Sequence, residues 1–220
     1  MVEPPLSEEQ GRTAEILRGR TIVVPEAPSG LPEKLAGQVL LKCGDKITTD
    51  HIMPAGTFLK LRSNVPEYAK VVFNGFNEPG KPTFAERALA LKGKGIAGII
   101  VAGESYGQGS SREHAALCPM YLGVRAVIAR SIERIHRANL VNFCIVPIRF
   151  ADPADYDRLE AGDELTMDDL VAAIRSSEQV RIRRHRDSFE FVGRLELSAR
   201  DRNILLSAGL LNYTRKKAHE

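Results

Sequence analysis

Ala97-Gly-Ile-Ile-Val-Ala102 runs directly into Gly103-Glu-Ser-Tyr-Gly-Gln-Gly109 and then Ser110-Ser-Arg-Glu-His-Ala-Ala116. A short apolar run bounded by glycines reads as a strand buried on both faces. The polar glycine-rich stretch after it reads as a loop, and Arg112–Leu122 as a helix that Pro119 ends or kinks. In an open α/β sheet, the loop at the carboxyl end of such a strand is where ligands bind. Gly107 and Gly109 bracket Gln108 and permit positive φ and a close backbone approach to a ligand. Ser110-Ser-Arg-Glu113 has the Ser-x-x-Glu form of a capping box, which places Ser110 at a helix start. A helix start attracts anions, and Arg112 adds a forked partner for a carboxylate. A serine there loses its proton more easily than in water. The plainer reading is that Ser110 is an N-cap, Glu113 completes the box and His114 lies on the helix surface.

The same alternation extends outward. Gln38–Lys42 reads as a first strand, Phe84–Leu91 as a helix stopped by Gly93 and Gly95, and Val124–Ala129 as another buried strand. Ser131–Phe143 reads as a helix with Ile132, Ile135, Leu140 and Phe143 on its apolar face, followed by a strand at Ile145–Phe150. Gln179–Arg186 and Phe189–Leu195 read as a hairpin, and Ala199–Ala208 as a last helix. Strands alternating with helices imply an α/β domain with a mixed, mostly parallel sheet. Residues 1–36, rich in Pro, Glu and Gly, read as a linker or tail with at most a short helix around Ala14–Leu17. The compact domain is expected over 37–220.

The 220 residues are 43% hydrophobic, enough for a buried core. No apolar run approaches the ~18–20 residues that span a bilayer. The polar N-terminus lacks a secretory pattern, so a cytoplasmic protein is expected. A net charge of +3 argues weakly for nucleic acid and suits an anionic small substrate equally well. Arg181, Arg183, Arg184 and Arg186 read as the solvated face of the hairpin. Cys43, Cys118 and Cys144 are scattered, with no Cys-x-x-Cys, and read as buried small hydrophobes that bind no metal. No P-loop pattern and no Gly-x-Ser-x-Gly occurs.

Four motifs in order carry a resemblance. Tyr106-Gly-Gln-Gly-Ser-Ser-Arg-Glu-His-Ala115 closely resembles the signature of the swivelling domains of aconitases and isopropylmalate isomerases. Gly44-Asp-Lys-Ile-Thr-Thr-Asp-His-Ile-Met-Pro-Ala-Gly56 resembles the aconitase run ending in Thr-Asp-His-Ile-Ser/Met-Pro-Ala-Gly. Ser131-Ile-Glu-Arg-Ile-His136-Arg-Ala-Asn139 matches the family's Ser-x-x-Arg-Ile-His-x-x-Asn, and the segment from Ile204 to Tyr213 is similar to aconitase ends. Together they cover about residues 38–213.

The resemblance implies a single swivelling domain of the β/β/α type, acting in an aconitate hydratase, a hydro-lyase of the tricarboxylic acid cycle. Ser110 matches the base that moves the substrate proton, and Ser111 and Arg112 match residues that stabilise the alkoxide and hold a carboxylate. Thr49 and Asp50 match the pair near the cluster edge, and Arg62 matches an arginine that grips a distal carboxylate. Gly109 and Met53 are expected on the substrate side. Met53 departs from the serine of many aconitases and cannot donate its hydrogen bond. The resemblance implies a [4Fe–4S] cluster held outside this chain, so the expected partners are cluster-bearing domains or a cluster-bearing subunit, with a tricarboxylate substrate. For His136 and Asn139, one packed turn that buttresses the sheet is the preferred reading. The alternatives are the small subunit of an isopropylmalate or homoaconitate isomerase, and an RNA-binding module using the Arg181–Arg186 cluster.

Overall fold

Residues 4–25 and 27–218 are described by a computed structural model. Its strands are β1 (Leu35–Cys43), β2 (Ala97–Ala102), β3 (Val124–Ala129), β4 (Val146–Phe150), β5 (Glu164–Met167), β6 (Gln179–Arg184) and β7 (Glu190–Arg194). Its helices are α1 (Glu8–Thr13), α2 (Thr49–Ile52), α3 (Val65–Ala69), α4 (Phe84–Gly93), α5 (His114–Tyr121), α6 (Arg134–Asn142), α7 (Asp155–Arg158), α8 (Leu170–Ser176), α9 (Ala199–Leu206) and α10 (Leu210–Lys217).

The strands close into a barrel in the order β1-β2-β3-β4-β7-β6-β5. β1 to β4 pair in parallel, and the other four pairings, β4–β7, β7–β6, β6–β5 and β5–β1, are antiparallel. The sheet is mixed, as expected, but not mostly parallel. The short strand β5, which has no strong local signal, joins the hairpin to β1 and closes what the alternating pattern predicts as an open sheet.

Side chains alternate between two cores along each buried strand, as the strand period of two requires. Ile99 and Val101 of β2 and Ala126 and Ile128 of β3 belong to a core to which all seven strands contribute. Ile100, Ala102, Val127 and Ala129 face a second core built with Tyr68, Phe73, Phe84 and Ala116 from the helical side. Gly193 in β7 is required by packing, because a Cβ there would meet Ile148 Cγ2 at 2.3 Å.

Several local expectations shift. The N-terminal helix is Glu8–Thr13 rather than Ala14–Leu17, because Ser7 and Gln10 form a reciprocal capping box upstream. The helix over Ala199–Ala208 is followed by a second one, α10, after Ala208 and Gly209 take positive φ. Ile135 is exposed, since α6 starts only at Arg134 and turns that position to solvent. The hairpin arginines are not simply a solvated face. Arg184 is buried and holds Asp163 and Asp187, Arg186 reaches Glu160, and Arg183 reaches Asp168. Among the described residues, no helix is long and apolar enough to cross a membrane.

Candidate functional site

The loops leaving β1, β2 and β3 continue the parallel arrangement past the ends of the strands. Gly107 N–H donates to Ile47 O at 2.7 Å, and Thr49 N–H donates to Gln108 O at 2.9 Å. On the other side, Tyr106 N–H donates to Ser131 O at 3.0 Å and Glu133 N–H to Tyr106 O at 2.9 Å. The serine loop is thus pinned between its two neighbours. It turns at Gly107 (φ 84°) and Gly109 (φ 104°), both in the region that favours glycine.

Between the loops lies a cleft of about 190 Å³, lined by Thr49, Gly107, Gly109, the Ser110–Arg112 run and, from the start of α6, Glu133 to His136 with Asn139. Five of the residues expected at the site, Thr49, Gly109, Ser110, Ser111 and Arg112, therefore meet in one place. Thr49 is buried, and its hydroxyl donates to Ser110 O at 3.1 Å, fixing the loop from beneath. Among the described residues, neither serine hydroxyl has a hydrogen-bond partner in the protein, and both residues are exposed.

Ser110 is not the cap of α5. That helix starts at His114, its N-cap is Glu113, and no side chain caps it. The predicted capping box does not form because Arg112 is drawn away to Asp50 and the chain enters the helix late. Arg112 Nη1 donates to Asp50 Oδ1, and Nη2 donates to Oδ2 at 3.1 Å. Nη1 also reaches Met53 O at 3.4 Å. This fork holds the Asp50 carboxyl below its ordinary range, with Ala55 N–H as a lesser contributor and partial burial opposing. Asp50 thus stands behind Arg112 rather than on the cleft.

Met53 is wholly buried, so its side chain packs in the core and only its carbonyl serves the site. Arg62 does not line the cleft. Its side chain is exposed, and its carbonyl accepts a hydrogen bond from His114 Nε2 at 3.0 Å. His114 also packs against Tyr68, whose hydroxyl donates to Pro54 O at 3.1 Å. These contacts tie the segment holding Arg62 to the base of α5, so His114 is more than a surface residue.

Sequence reasoning left out Arg134 and assigned His136 and Asn139 to packing. His136 does pack, edge-on to Tyr106 and against the Cα of Gly107. Burial pushes its imidazole down to about 4, so the ring is neutral near pH 7. The signal that finds these residues is positional: α6 follows β3, the third parallel strand, so its start opens on the same rim.

The cysteines do not fit a cluster. Cys43 ends β1, Cys118 lies within α5 and Cys144 follows α6, each buried. Burial pushes the thiols of Cys43 and Cys118 up to about 12 and that of Cys144 to about 11, opposite to what thiolate ligands need. Among the described residues, no group of three or more His, Cys, Asp or Glu side chains could hold a metal ion.

Comparison with known proteins places these features. The family model of the aconitase C-terminal domain matches residues 58–153. A mitochondrial aconitate hydratase of Aspergillus fumigatus is 37% identical over 161 residues, covering 67% of this chain and 20% of that protein. One of Arthroderma benhamiae is 40% identical over 135 residues, covering 55% of this chain and 17% of that protein. A second A. fumigatus protein, provisionally named a mitochondrial aconitate hydratase, is 33% identical over 217 residues, covering 90% of this chain and 27% of that protein. The chain spans about a quarter of the length of such relatives. The crystal structure of 3-isopropylmalate dehydratase from Methanocaldococcus jannaschii superposes with a TM-score of 0.64 at 29% identity, covering 84% of this chain and 96% of that one. With the serine–arginine loop at the rim of the same fold, the chain belongs to the aconitase C-terminal domain family.

Proposed function

We propose that this chain is the swivelling C-terminal domain of an aconitate hydratase and supplies the serine and arginine half of an active site for citrate–isocitrate isomerisation through cis-aconitate. The observation that carries this reading is the convergence of Ser110, Ser111, Thr49 and Arg112 on one cleft at the ends of parallel strands. Ser110 takes the proton from carbon. Ser111 and Arg112 stabilise the alkoxide that makes Ser110 a base. Of the five N–H groups of the Arg112 guanidinium, three are engaged with Asp50 and Met53 O, which leaves two for a substrate carboxylate. Thr49 and Asp50 set the loop and the fork. Arg62, exposed beside the cleft loops, meets a distal carboxylate when the domain closes on its partner. In this reading a [4Fe–4S] cluster belongs to domains or a subunit outside this chain, and the active site is partial without them. A cytoplasmic location belongs to the same proposal, although the relatives above are named mitochondrial.

The second reading, the small subunit of an isopropylmalate or homoaconitate isomerase, is favoured by one observation. The M. jannaschii 3-isopropylmalate dehydratase chain is matched over 96% of its length. Arg62 argues the other way, since an extra carboxylate rather than an isopropyl group needs a cation. RNA binding loses ground because three of the four hairpin arginines are paired with carboxylates.

The test mixes this chain with the cluster-bearing part of a matching enzyme and follows citrate, cis-aconitate and isopropylmalate. Citrate turnover in the mixture, abolished by Ser110→Ala, is the expected result. Turnover of isopropylmalate alone transfers the assignment to the isomerases, and no turnover in a well-folded mixture removes the catalytic reading.

A further inference from the structure

The part of the cleft lining that comes from α6 has no role in the chemistry above. α6 begins there with Glu133 as its N-cap and no side chain capping it. Among the described residues, the N–H groups of Arg134, Ile135 and His136 find no acceptor, as in the first turn of any uncapped helix. The Arg134 side chain is exposed and makes no ion pair among the described residues, whereas Arg112 is held by Asp50. Arg134 is therefore the uncommitted cation of the cleft.

A second, independent observation lies at the floor. His136 is 1% exposed and Asn139 9%, yet among the described residues both ring nitrogens of His136 and Nδ2 of Asn139 lack a hydrogen-bond partner. Buried polar atoms are nearly always paired, and one left unpaired in an interior calls for a partner from outside the fold. The serine loop lies directly on this floor, because a Cβ on Gly107 would stand 2.2 Å from His136 Cγ.

We propose that the start of α6, Arg134 and the His136–Asn139 floor form a carboxylate-binding subsite that shares the cleft with Arg112 and takes a second carboxylate of the substrate. The inference rests on the polycarboxylate reading above and adds the residues that hold the far end. The unpaired groups are overwhelmingly donors: backbone N–H groups, a guanidinium, the Asn139 amide and one ring N–H of His136. Burial keeps that ring neutral, so it contributes a hydrogen bond rather than a charge. A ligand group that only accepts, with negative charge near a helix start, satisfies this set. His136 lines the same cleft as Ser110 and Ser111, whose hydroxyls can also donate. Glu133, also on the cleft, opposes an anion, which gives the proposal a signed test.

The experiment is an amide NMR titration of the full chain with citrate, with sodium chloride at matched ionic strength as control. The Ser110–Arg112 and Arg134–His136 amides should move together along one saturable curve. Arg134→Ala should weaken binding about tenfold, as expected for losing a charged hydrogen bond, and Glu133→Gln should tighten it. A saturable response of the serine loop with α6 silent and Arg134→Ala without effect overturns the subsite and leaves the proposed function standing. A response of α6 alone keeps the anion subsite and removes the shared substrate site. No response at either place removes both.

Discussion

Gly107→Ala is the most informative single change. Gly107 has φ 84°, and a Cβ there would stand 2.2, 2.3 and 2.4 Å from three atoms of His136. Holding an alanine at positive φ costs about 1–2 kcal/mol. Forcing a methyl group against a ring that has nowhere to go costs about 1–3 kcal/mol more. The sum, about 2–5 kcal/mol, corresponds to a fall in Tm of roughly 5–15 °C for a domain of this size. Gly109→Ala is the control: its φ is 104°, but its nearest neighbour is Thr49 Oγ1 at 3.7 Å. It should lose only the conformational part, about 1–2 kcal/mol. Urea denaturation followed by circular dichroism measures both, and equal m-values keep the comparison valid. Combining Gly107→Ala with His136→Ala should recover about 1–3 kcal/mol relative to the sum of the single changes. If Gly107→Ala costs no more than Gly109→Ala, or if the double variant shows no recovery, the contact between the loop and His136 is not what holds this rim.

Further outcomes follow from burial and charge. The ordinary value of 6.5 for His136 falls to about 4 in the folded chain, so its contribution is complete above pH 6.5 and is lost as pH drops toward 4. The loss should amount to roughly 2–4 kcal/mol and vanish in His136→Gln, as read from denaturation midpoints across that window. All three cysteines should resist alkylation in the native chain at pH 8 and react fully in denaturant, because burial disfavours each thiolate; rapid labelling of any one would contradict its placement. Arg184→Leu should cost about 3–5 kcal/mol, because it leaves the buried Asp163 carboxylate with only the longer contact to Arg186 as a cationic partner. Asp187, held at about 2 by the same guanidinium, should titrate nearer its ordinary 3.8 in that variant, which carboxyl NMR can follow.

Legibility followed how local the determining physics was. β2 and β3 have the bounds expected, because strands buried on both faces announce themselves as apolar runs between glycines. β5 was invisible: Glu164–Met167 is four residues long, and its identity comes from pairing with β1 and β6 far away in sequence. The serine loop was found by its glycines and motif, but its conformation was misjudged. A local capping pattern at Ser110 lost to a long-range ion pair between Arg112 and Asp50. The α6 wall was overlooked for a related reason. His136 and Asn139 sit at a helical spacing that fits core packing, and only the three-dimensional arrangement reveals that their polar atoms are left over.

Closure of the sheet has a consequence for how this domain meets other chains. A strand edge is an adhesive surface, because its unpaired backbone groups can recruit a strand from a neighbour. Here β5 and β7 complete the ring, so among the described residues each strand of the sheet has a neighbour on both sides. A neighbouring chain must dock through loops and side chains at the rim, contacts that form and break without unzipping backbone pairing. That suits the role proposed above, in which the domain comes away from a companion and returns in register with each cycle of opening.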